Sequence, residues 1–370
     1  MSDAFLSLSG VTRQWGGQGG VRDVSLSLEK GQFLSILGPS GCGKSTLLRL
    51  IAGLEQPQEG TIRIDGRNVT AEPASQRGLS MVFQSYALFP HLTVAENILF
   101  GLTVRRTPKA EQRARLAEAV EMTGLAGLER RRPAELSGGQ RQRVALARAV
   151  VADRPLCLMD EPLSNLDAKL RHSVRRDIRA LQRRLGLTVV YVTHDQGEAM
   201  SLSDKVVLMN AGRVEQIGTP AQLYTAPATT FAAEFVGEPP MALIDGPALG
   251  MREGVTVGIR PEHVRLAAIG DLAVTVCDLE FLGAETQVAM EHPAARGLVA
   301  LLPGTPDLTP GDSVSLVLPE DDRLLFDTRT GHREEKPQQN PATRIRQNTA
   351  PRDGHPALSA TEPGTQRNTK

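Results

Sequence analysis

The segment FLSILGPSGCGKSTLLRLIAGL, residues 33–54, decides the fold class. It places the pattern G-x-x-x-x-G-K-[ST] between an apolar strand and a helical run, which is the context that a phosphate-binding loop requires. Glycines let backbone N–H groups face an anion, and the helix N-terminus adds a positive dipole. We therefore expect Lys44 to reach the β- and γ-phosphates of a nucleotide and Ser45 to bind Mg²⁺. The residues expected to contact the nucleotide are Gly38, Pro39, Ser40, Gly41, Cys42, Gly43, Lys44, Ser45 and Thr46.

Two adjacent carboxylates follow a second apolar strand pattern, LCLM at residues 156–159. An aspartate at such a strand end binds Mg²⁺ through water in P-loop nucleotidases, so we expect this role for Asp160. Glu161 is then placed to act as general base toward the attacking water. The alternative for this pattern alone is a buried strand that ends in two solvated acids.

A second candidate anion site is the sequence LSGGQ, formed by Leu136, Ser137, Gly138, Gly139 and Gln140. The serine is expected to cap the helix that follows, and the glycines expose backbone N–H groups at its positive end. The phosphates of one nucleotide cannot readily occupy both sites within one monomer. Two copies facing head to tail would hold ATP between the loop of one and the capped helix of the other. The alternative is an ordinary capped helix.

In this position LSGGQ resembles the signature of ATP-binding cassette (ABC) transporters, and other elements of that family are present in its order. Gln84 resembles the Q-loop glutamine, which senses Mg²⁺ and the nucleophilic water. Ser164-Asn165-Leu166-Asp167 resembles the D-loop, in which Asp167 signals across the dimer. His194 resembles the switch histidine that contacts the γ-phosphate. Trp15 stands where the family places an aromatic ring under the adenine.

The resemblance implies an ATPase that uses ATP and Mg²⁺. Its catalytic residues would be Glu161, His194 and Gln84, and its Mg²⁺ ligands would be Ser45, Gln84 and Asp160. The chemistry would be in-line attack of water on the γ-phosphoryl group.

The expected fold is an α/β P-loop cassette over residues 1–236, because short apolar runs such as Gln32–Leu37 and Thr188–Val192 alternate with helical patterns. About residues 90–150 are predicted to form a helical subdomain. Thr93 and Glu96 form a capping box, Pro108 is expected as the first residue of the next helix, and Gly124 suits its end.

The segment GEPPMALIDGPALG, residues 237–250, is rich in Pro and Gly and is predicted to be a linker. Short alternating runs then predict a small all-β domain, OB- or TOBE-like, within 237–332. The stretch between Met241 and Gly258 is shorter than in close relatives of the family, so we expect a shortened β-domain. Residues 333–370 are polar and poor in large apolar side chains, which predicts a disordered tail.

The charge, the cysteine count and the absence of long apolar runs argue against several classes of protein. The chain has 370 residues, 42 Lys and Arg, 42 Asp and Glu, and a formal net charge of +0, which argues against binding to nucleic acid through bulk charge. Its 3 cysteines make no disulfide framework. No apolar run is long enough to span a bilayer and no signal peptide is evident, so we expect a cytosolic chain that docks on the inner membrane through another protein.

Several short segments resemble the ATPase subunits of particular importers and so indicate which solute is transported. GIRPEH at 258–263 is similar to the accessory β-domain of carbohydrate-importer ATPases. Trp15-Gly16, Arg131-Arg132-Pro133, LEFLGAET (279–286) and RLLFDTRTGHR (323–333) are most similar to ATPase subunits of sn-glycerol-3-phosphate importers. The resemblance implies a homodimer, two transmembrane permease subunits and an extracytoplasmic solute-binding protein. A sugar or a polyamine is the alternative solute, and a soluble ABC protein acting on nucleic acid or ribosomes is the remote alternative.

Overall fold

The computed structural model describes residues 4–16 and 19–335, and the elements below lie in the compact unit that ends at Glu334. Through residue 236 the strands are β1 (Leu6–Arg13), β2 (Val21–Leu28), β3 (Phe33–Leu37), β4 (Glu59–Ile64), β5 (Arg67–Asn68), β6 (Leu79–Val82), β7 (Leu156–Asp160), β8 (Thr188–Val192), β9 (Lys205–Asn210) and β10 (Arg213–Gly218). The helices are α1 (Lys44–Ala52), α2 (Val94–Val104), α3 (Lys109–Thr123), α4 (Gly138–Val151), α5 (Ala168–Leu185), α6 (Gln196–Leu202), α7 (Pro220–Thr225) and α8 (Thr230–Phe235).

The central sheet has six strands in the order β10-β9-β3-β8-β7-β6. Its strands pair in parallel except at β10, which pairs antiparallel with β9. Strands β3 and β8 are buried at every position, which explains their uninterrupted apolar runs, since a parallel sheet is covered on both faces. Carboxyl ends of parallel strands meet at one edge, so the segments after β3, β6, β7 and β8 converge there. The α/β expectation is confirmed.

A second sheet, β2-β1-β4-β5, shares an apolar cluster with the central one. Helix α1 contributes Leu47, Leu48, Leu50 and Ile51 to this cluster, and all four are fully buried. This packing fixes the axis of α1 and therefore the direction in which its N-terminus points.

The helical subdomain consists of α2, α3 and α4, which bury a separate apolar cluster containing Ile98, Val120 and Val144. Thr93 and Glu96 form the expected capping box, and Gly124 ends α3 in the left-handed conformation with φ 62°. The prediction that Pro108 begins α3 is wrong by one residue, because Pro108 is the N-cap and the helix begins at Lys109.

The C-terminal strands are β11 (Ala242–Asp245), β12 (Val255–Ile259), β13 (Arg265–Ala267), β14 (Leu272–Phe281), β15 (Glu285–Glu291), β16 (Ala295–Arg296), β17 (Val299–Pro303), β18 (Ser313–Val317), β19 (Leu324–Asp327) and β20 (Arg333–Glu334). They form two five-stranded sheets, β16-β11-β12-β19-β20 and β13-β18-β14-β15-β17, around one apolar cluster.

The prediction of a linker over 237–250 is wrong for residues 242–245, which form β11. Strand β11 pairs with both β12 and β16, and its residues Ala242, Leu243 and Ile244 are buried. The glycines and prolines around this strand build its turns, so composition averaged over the segment conceals a short apolar core strand.

Arg260, in the sequence GIRPEH, ties the two parts of this unit together. Its side chain is buried, lies over the ring of Tyr224 at 4.0 Å from the centroid, and donates to the Tyr224 carbonyl at 2.7 Å. It also donates to the carbonyls of Ala233 and Val236. A guanidinium therefore satisfies the carbonyls at the C-terminal ends of α7 and α8.

Strand β20 pairs with β19, so regular structure continues two residues past the predicted start of the tail. From residue 336 onward the predicted tail lies outside the described residues. Within residues 4–16 and 19–335, every helix is too short or too polar to cross a lipid bilayer. Cys42, Cys157 and Cys277 are all free thiols.

Candidate nucleotide site

The phosphate loop, residues 38–46, runs from the end of β3 into the first turn of α1 and lines a cavity of about 240 Å³. The residues around this cavity are Gly20, Ser40, Gly41, Gly43, Lys44, Ser45, Thr46 and Glu161. Lys44 is only 5% exposed, and its Nζ donates to the carbonyls of Gly38 and Pro39 at 2.8 and 2.9 Å. These carbonyls hold the ammonium at the cavity wall, where it can exchange them for phosphate oxygens.

The start of α1 is built without a side-chain cap. Gly43 is the N-cap with φ 101°, and a Cβ there would lie 2.5 Å from the carbonyl oxygen of Gly20. Only glycine tolerates both the conformation and the close approach. Gly43 therefore offers no side-chain acceptor to the first N–H groups of α1, and N–H groups left uncapped at a helix N-terminus are suited to an anion. Cys42, beside this glycine, is buried, and burial raises the pKa of its thiol.

Ser45 and Asp160 meet at the edge of the cavity, where Ser45 Oγ donates to Asp160 Oδ1 at 3.1 Å. Burial raises the pKa of Asp160, and the Ser45 hydroxyl opposes that shift. No group of three or more His, Cys, Asp or Glu side chains among the described residues forms a metal site. One hydroxyl and one carboxylate nevertheless fit Mg²⁺, since this ion commonly takes one or two protein ligands together with phosphate oxygens and water.

Glu161 follows β7 in the left-handed conformation with φ 41°. A non-glycine residue in this region costs roughly 1–3 kcal/mol and persists where neighbours hold it. Here its N–H donates to the Val192 carbonyl at 3.0 Å, and its carbonyl accepts from Ser164 Oγ at 2.9 Å. Its carboxylate Oε2 lies 3.2 Å from Nδ1 of His194. The backbone turn thus aims the carboxylate into the cavity beside the histidine.

Gln84 follows β6 and contacts the D-loop, Ser164–Asp167. Its Nε2 donates to Ser164 Oγ at 3.3 Å, and its carbonyl accepts from Asn165 Nδ2 at 3.0 Å. Asp167 is the N-cap of α5 and accepts from the Leu170 N–H at 2.9 Å. The two segments therefore lie against each other at the carboxyl edge of the sheet.

The turn after Gln84 contains a feature that sequence reasoning missed. Tyr86 and Ala87 both have positive φ, at 62° and 45°. Arg148, on α4, donates to the carbonyls of both at 2.7 and 2.8 Å. The helix that carries the signature segment therefore holds the Q-loop backbone in place. Consecutive left-handed non-glycine residues have no sequence signal.

The signature segment, Leu136–Gln140, starts α4 with a complete capping box. Ser137 Oγ accepts from the Gln140 N–H at 3.3 Å, and Gln140 Oε1 accepts from the Ser137 N–H at 2.9 Å. Leu136 is buried in the helical subdomain. Gly139 lies under Leu170, where a Cβ would approach that side chain to 2.8 Å.

The described residues thus bring the phosphate loop, Asp160, Glu161 and His194 together, and they place Gln84 on the D-loop. The cavity is lined by none of the signature residues and not by Trp15. Trp15 is 44% exposed, and the guanidinium of Arg13 lies 5.3 Å from its ring centroid. The roles assigned to all these residues stay predictions.

Comparison with family models identifies two regions of the chain. Residues 21–164 match the model described as ABC transporter, and residues 257–326 match the TOBE domain. The first match contains the phosphate loop, Gln84, the signature segment and Glu161.

Comparison with curated proteins finds relatives that match over most of this chain. The sn-glycerol-3-phosphate import ATP-binding protein UgpC of Salmonella typhi is 46% identical over 355 residues, covering 89% of this chain and 99% of that protein. The sulfate/thiosulfate import ATP-binding protein CysA 2 of Chromobacterium violaceum is 46% identical over 341 residues, covering 85% of this chain and 93% of that protein. Among solved structures, CbiO1 of Clostridium perfringens, part of the ABC transporter complex CbiONQ, covers 61% of this chain and 92% of its own, with a TM-score of 0.56 and 27% identity.

Proposed function

Since the chain belongs to the family of ABC transporter ATP-binding proteins, which hydrolyse ATP with Mg²⁺ to drive transport, we propose that two copies energise an importer for sn-glycerol-3-phosphate. The observation that supports ATP hydrolysis is the phosphate-loop cavity, which is lined by Lys44, Ser45 and Glu161 among others. The solute is inferred from the relatives.

Each residue of the site has a task in this proposal. The uncapped N–H groups of α1 and the Lys44 ammonium bind the β- and γ-phosphates and stabilise the charge that spreads during transfer. Ser45 and Asp160 would hold Mg²⁺, which would neutralise phosphate charge. Glu161 takes the proton of the attacking water, and His194 at 3.2 Å orients that carboxylate and meets the γ-phosphate. Gln84, which contacts the D-loop, senses Mg²⁺ and the attacking water in this proposal.

The signature segment acts on a second copy. It stands outside the cavity of its own chain, yet it presents a glycine-rich helix N-terminus suited to an anion. We propose that two chains close head to tail, each placing its Ser137–Gln140 on the nucleotide held by the other. ATP binding drives closure, and hydrolysis releases it.

Closure is proposed to act on two transmembrane permease subunits at the inner face of the membrane, with an extracytoplasmic binding protein delivering the solute. The apolar groove lined by Leu79, Phe83, Phe89, Phe100 and Arg148 supports this docking. It adjoins the Q-loop turn, so a permease segment seated there would contact the backbone next to Gln84.

The solute assignment rests on the UgpC relative, whose match covers nearly its whole length. A second candidate, sulfate or thiosulfate, is favoured by the CysA 2 relative at the same identity. Both are small oxyanions, and the cassette itself contacts neither. The choice between them therefore depends on which permease the chain meets.

The experiment is an uptake assay in a strain deleted for this chain. We expect uptake of radiolabelled sn-glycerol-3-phosphate to fall to background and to return with the intact gene but not with the Lys44→Ala form. Radiolabelled sulfate, thiosulfate, a sugar and a polyamine are measured in parallel. Loss of one of these, with glycerol-3-phosphate uptake intact, would reassign the solute.

A further inference from the structure

An arginine that lines the same small pocket as Glu161 joins two segments of the site. Arg171, on the first turn of α5, donates through Nη2 to the Leu166 carbonyl of the D-loop at 3.1 Å. Its Nη1 donates to Asp195 Oδ2 at 3.4 Å. Asp195 is the residue after His194. One guanidinium therefore contacts both the D-loop and the histidine loop, which we define as Thr193–Asp195.

The histidine loop is in turn fixed to a buried carboxylate. Glu198 is 3% exposed and accepts from Tyr191 Oη at 2.7 Å and from Thr193 Oγ1 at 2.8 Å. Its own N–H donates to Asp195 Oδ1 at 2.9 Å, and the Asp195 N–H donates to Thr193 Oγ1 at 3.0 Å. The neighbours on either side of His194 are thus held, and the imidazole projects from the loop toward Glu161.

One contact in this cluster is incomplete. Arg171 Nε lies 3.9 Å from Glu198 Oε1, and this buried nitrogen has no hydrogen-bond partner within the described residues. A buried donor left unpaired is costly, so a shift of several tenths of an ångström that completes the bond is favourable. Movement of the D-loop pulls on the same guanidinium through the Leu166 carbonyl. The arginine can therefore transmit that movement to Glu198 and Asp195.

We propose that Arg171 is a positioning residue that couples the D-loop to the histidine loop, so that His194 is set against Glu161 when the D-loop is engaged. This role rests on the proposed ATPase function. It needs both a positive charge and a planar fork, because two different nitrogens of the guanidinium donate to two different acceptors. Lysine supplies the charge from a single point and cannot reproduce that geometry.

The test measures kcat and KM for Mg-ATP hydrolysis by the full chain. We expect Arg171→Met and Arg171→Lys each to lower kcat about 10-fold while KM for ATP changes less than about 2-fold, because Arg171 itself does not line the phosphate-loop cavity. Arg175→Met is the matched control. It removes an arginine one turn along α5 whose guanidinium donates to Ser201 Oγ, and it should leave kcat within about 2-fold.

A double-mutant cycle separates coupling from general loosening. If Arg171 acts through Glu198, then Arg171→Met with Glu198→Gln should lower kcat no further than the more damaging single change. The inference would be overturned if the fold-losses of kcat in the two single variants multiplied in the double variant. It would also be overturned if Arg171→Met and Arg175→Met lowered kcat equally. Thermal unfolding is measured for every variant to detect a folding defect. If Arg171→Met is destabilised, the comparison uses Arg171→Lys instead.

The proposed function can fail separately. A wild-type chain without Mg²⁺-dependent hydrolysis would remove the premise. A wild-type chain that hydrolyses ATP, together with an Arg171→Lys form of unchanged kcat, would refute the positioning role alone.

Discussion

Two glycine-rich helix N-termini in this molecule have similar chemistry and different construction. At α1 the N-cap is Gly43, which has no side chain to accept from the first turn of N–H groups. At α4 the N-cap is Ser137, and its capping box with Gln140 already satisfies two backbone N–H groups. The first terminus lines a cavity with Lys44, whereas the second lies outside that cavity.

The difference indicates how each terminus meets a nucleotide. The α1 terminus has free donors and a buried cation at hand, so it can hold phosphates within one chain. The α4 terminus is stable by itself and supplies a hydroxyl and an amide in addition to its dipole. It therefore suits a contact that forms and breaks as two chains close and open. On this account, substitutions at α1 impair nucleotide binding within one chain, whereas substitutions at α4 impair the contact between two chains.

The largest effect is expected at the phosphate loop. Lys44→Ala should abolish detectable ATP hydrolysis and weaken nucleotide binding, because it removes the fixed cation at the phosphates. Steady-state ATPase assays and binding of a fluorescent nucleotide measure the two losses. Lys205→Ala is the control, since Lys205 donates to the Ser27 carbonyl away from the cavity. Rapid hydrolysis by folded Lys44→Ala protein would refute the site.

Removal of the proposed general base should separate binding from chemistry. Glu161→Gln should slow hydrolysis by about 10²- to 10⁴-fold while ATP still binds. The closed dimer should then accumulate with Mg-ATP and elute earlier in size-exclusion chromatography. Glu59→Gln, at an exposed position of β4, should behave as wild type. A Glu161→Gln form that turns over normally, or that stays monomeric with ATP, contradicts the account.

Removing the Ser137 cap of the signature segment should have smaller effects, one on stability and one on the rate of hydrolysis. Ser137→Ala should cost about 1 kcal/mol of stability, the usual value of an N-cap. It should also slow hydrolysis about 10-fold, the loss of one hydrogen bond of about 1.4 kcal/mol to the transition state.

Thr219→Ala provides the matched control for this cap. Thr219 and Gln222 form the same capping box at α7, with distances of 2.8 and 3.2 Å. This variant should lose similar stability by urea denaturation and keep its ATPase rate. If Ser137→Ala and Thr219→Ala lowered the ATPase rate equally, the signature segment would be an ordinary capped helix with no role in hydrolysis.

Local sequence chemistry was sufficient wherever a few neighbouring residues satisfy one another. The capping box at Thr93 and the cap at Ser137 are of this kind, because donor and acceptor lie within three residues. The phosphate loop is recognised from the spacing of its glycines between a strand and a helix. The apolar runs of β3, β7 and β8 likewise identify buried parallel strands. The family resemblance then assigns roles to Gln84, His194 and Trp15, which the residues alone do not.

The rest depends on contacts that the sequence does not encode locally. Strand β11 forms because all four of its residues pair with β12 and two of them also pair with β16, and this pairing outweighs the turn-forming residues around it. Glu161 adopts its left-handed turn because Val192 and Ser164 hold it. Arg171 gains its partners only when α5, the D-loop and the histidine loop fold together.

Mixed dimers test the central claim, that ATP lies between the phosphate loop of one chain and the signature segment of the other. One dimer pairs a Lys44→Ala chain with a Ser137→Ala chain, and the other pairs a doubly substituted chain with wild type. With differently tagged chains co-purified and assayed for ATP hydrolysis, the first dimer should retain about half the wild-type rate, since one of its two symmetric sites is intact. The second should be slower, because each of its sites carries one defect. The reverse order, with the second dimer the more active, would place both elements in the same chain's site and contradict the account.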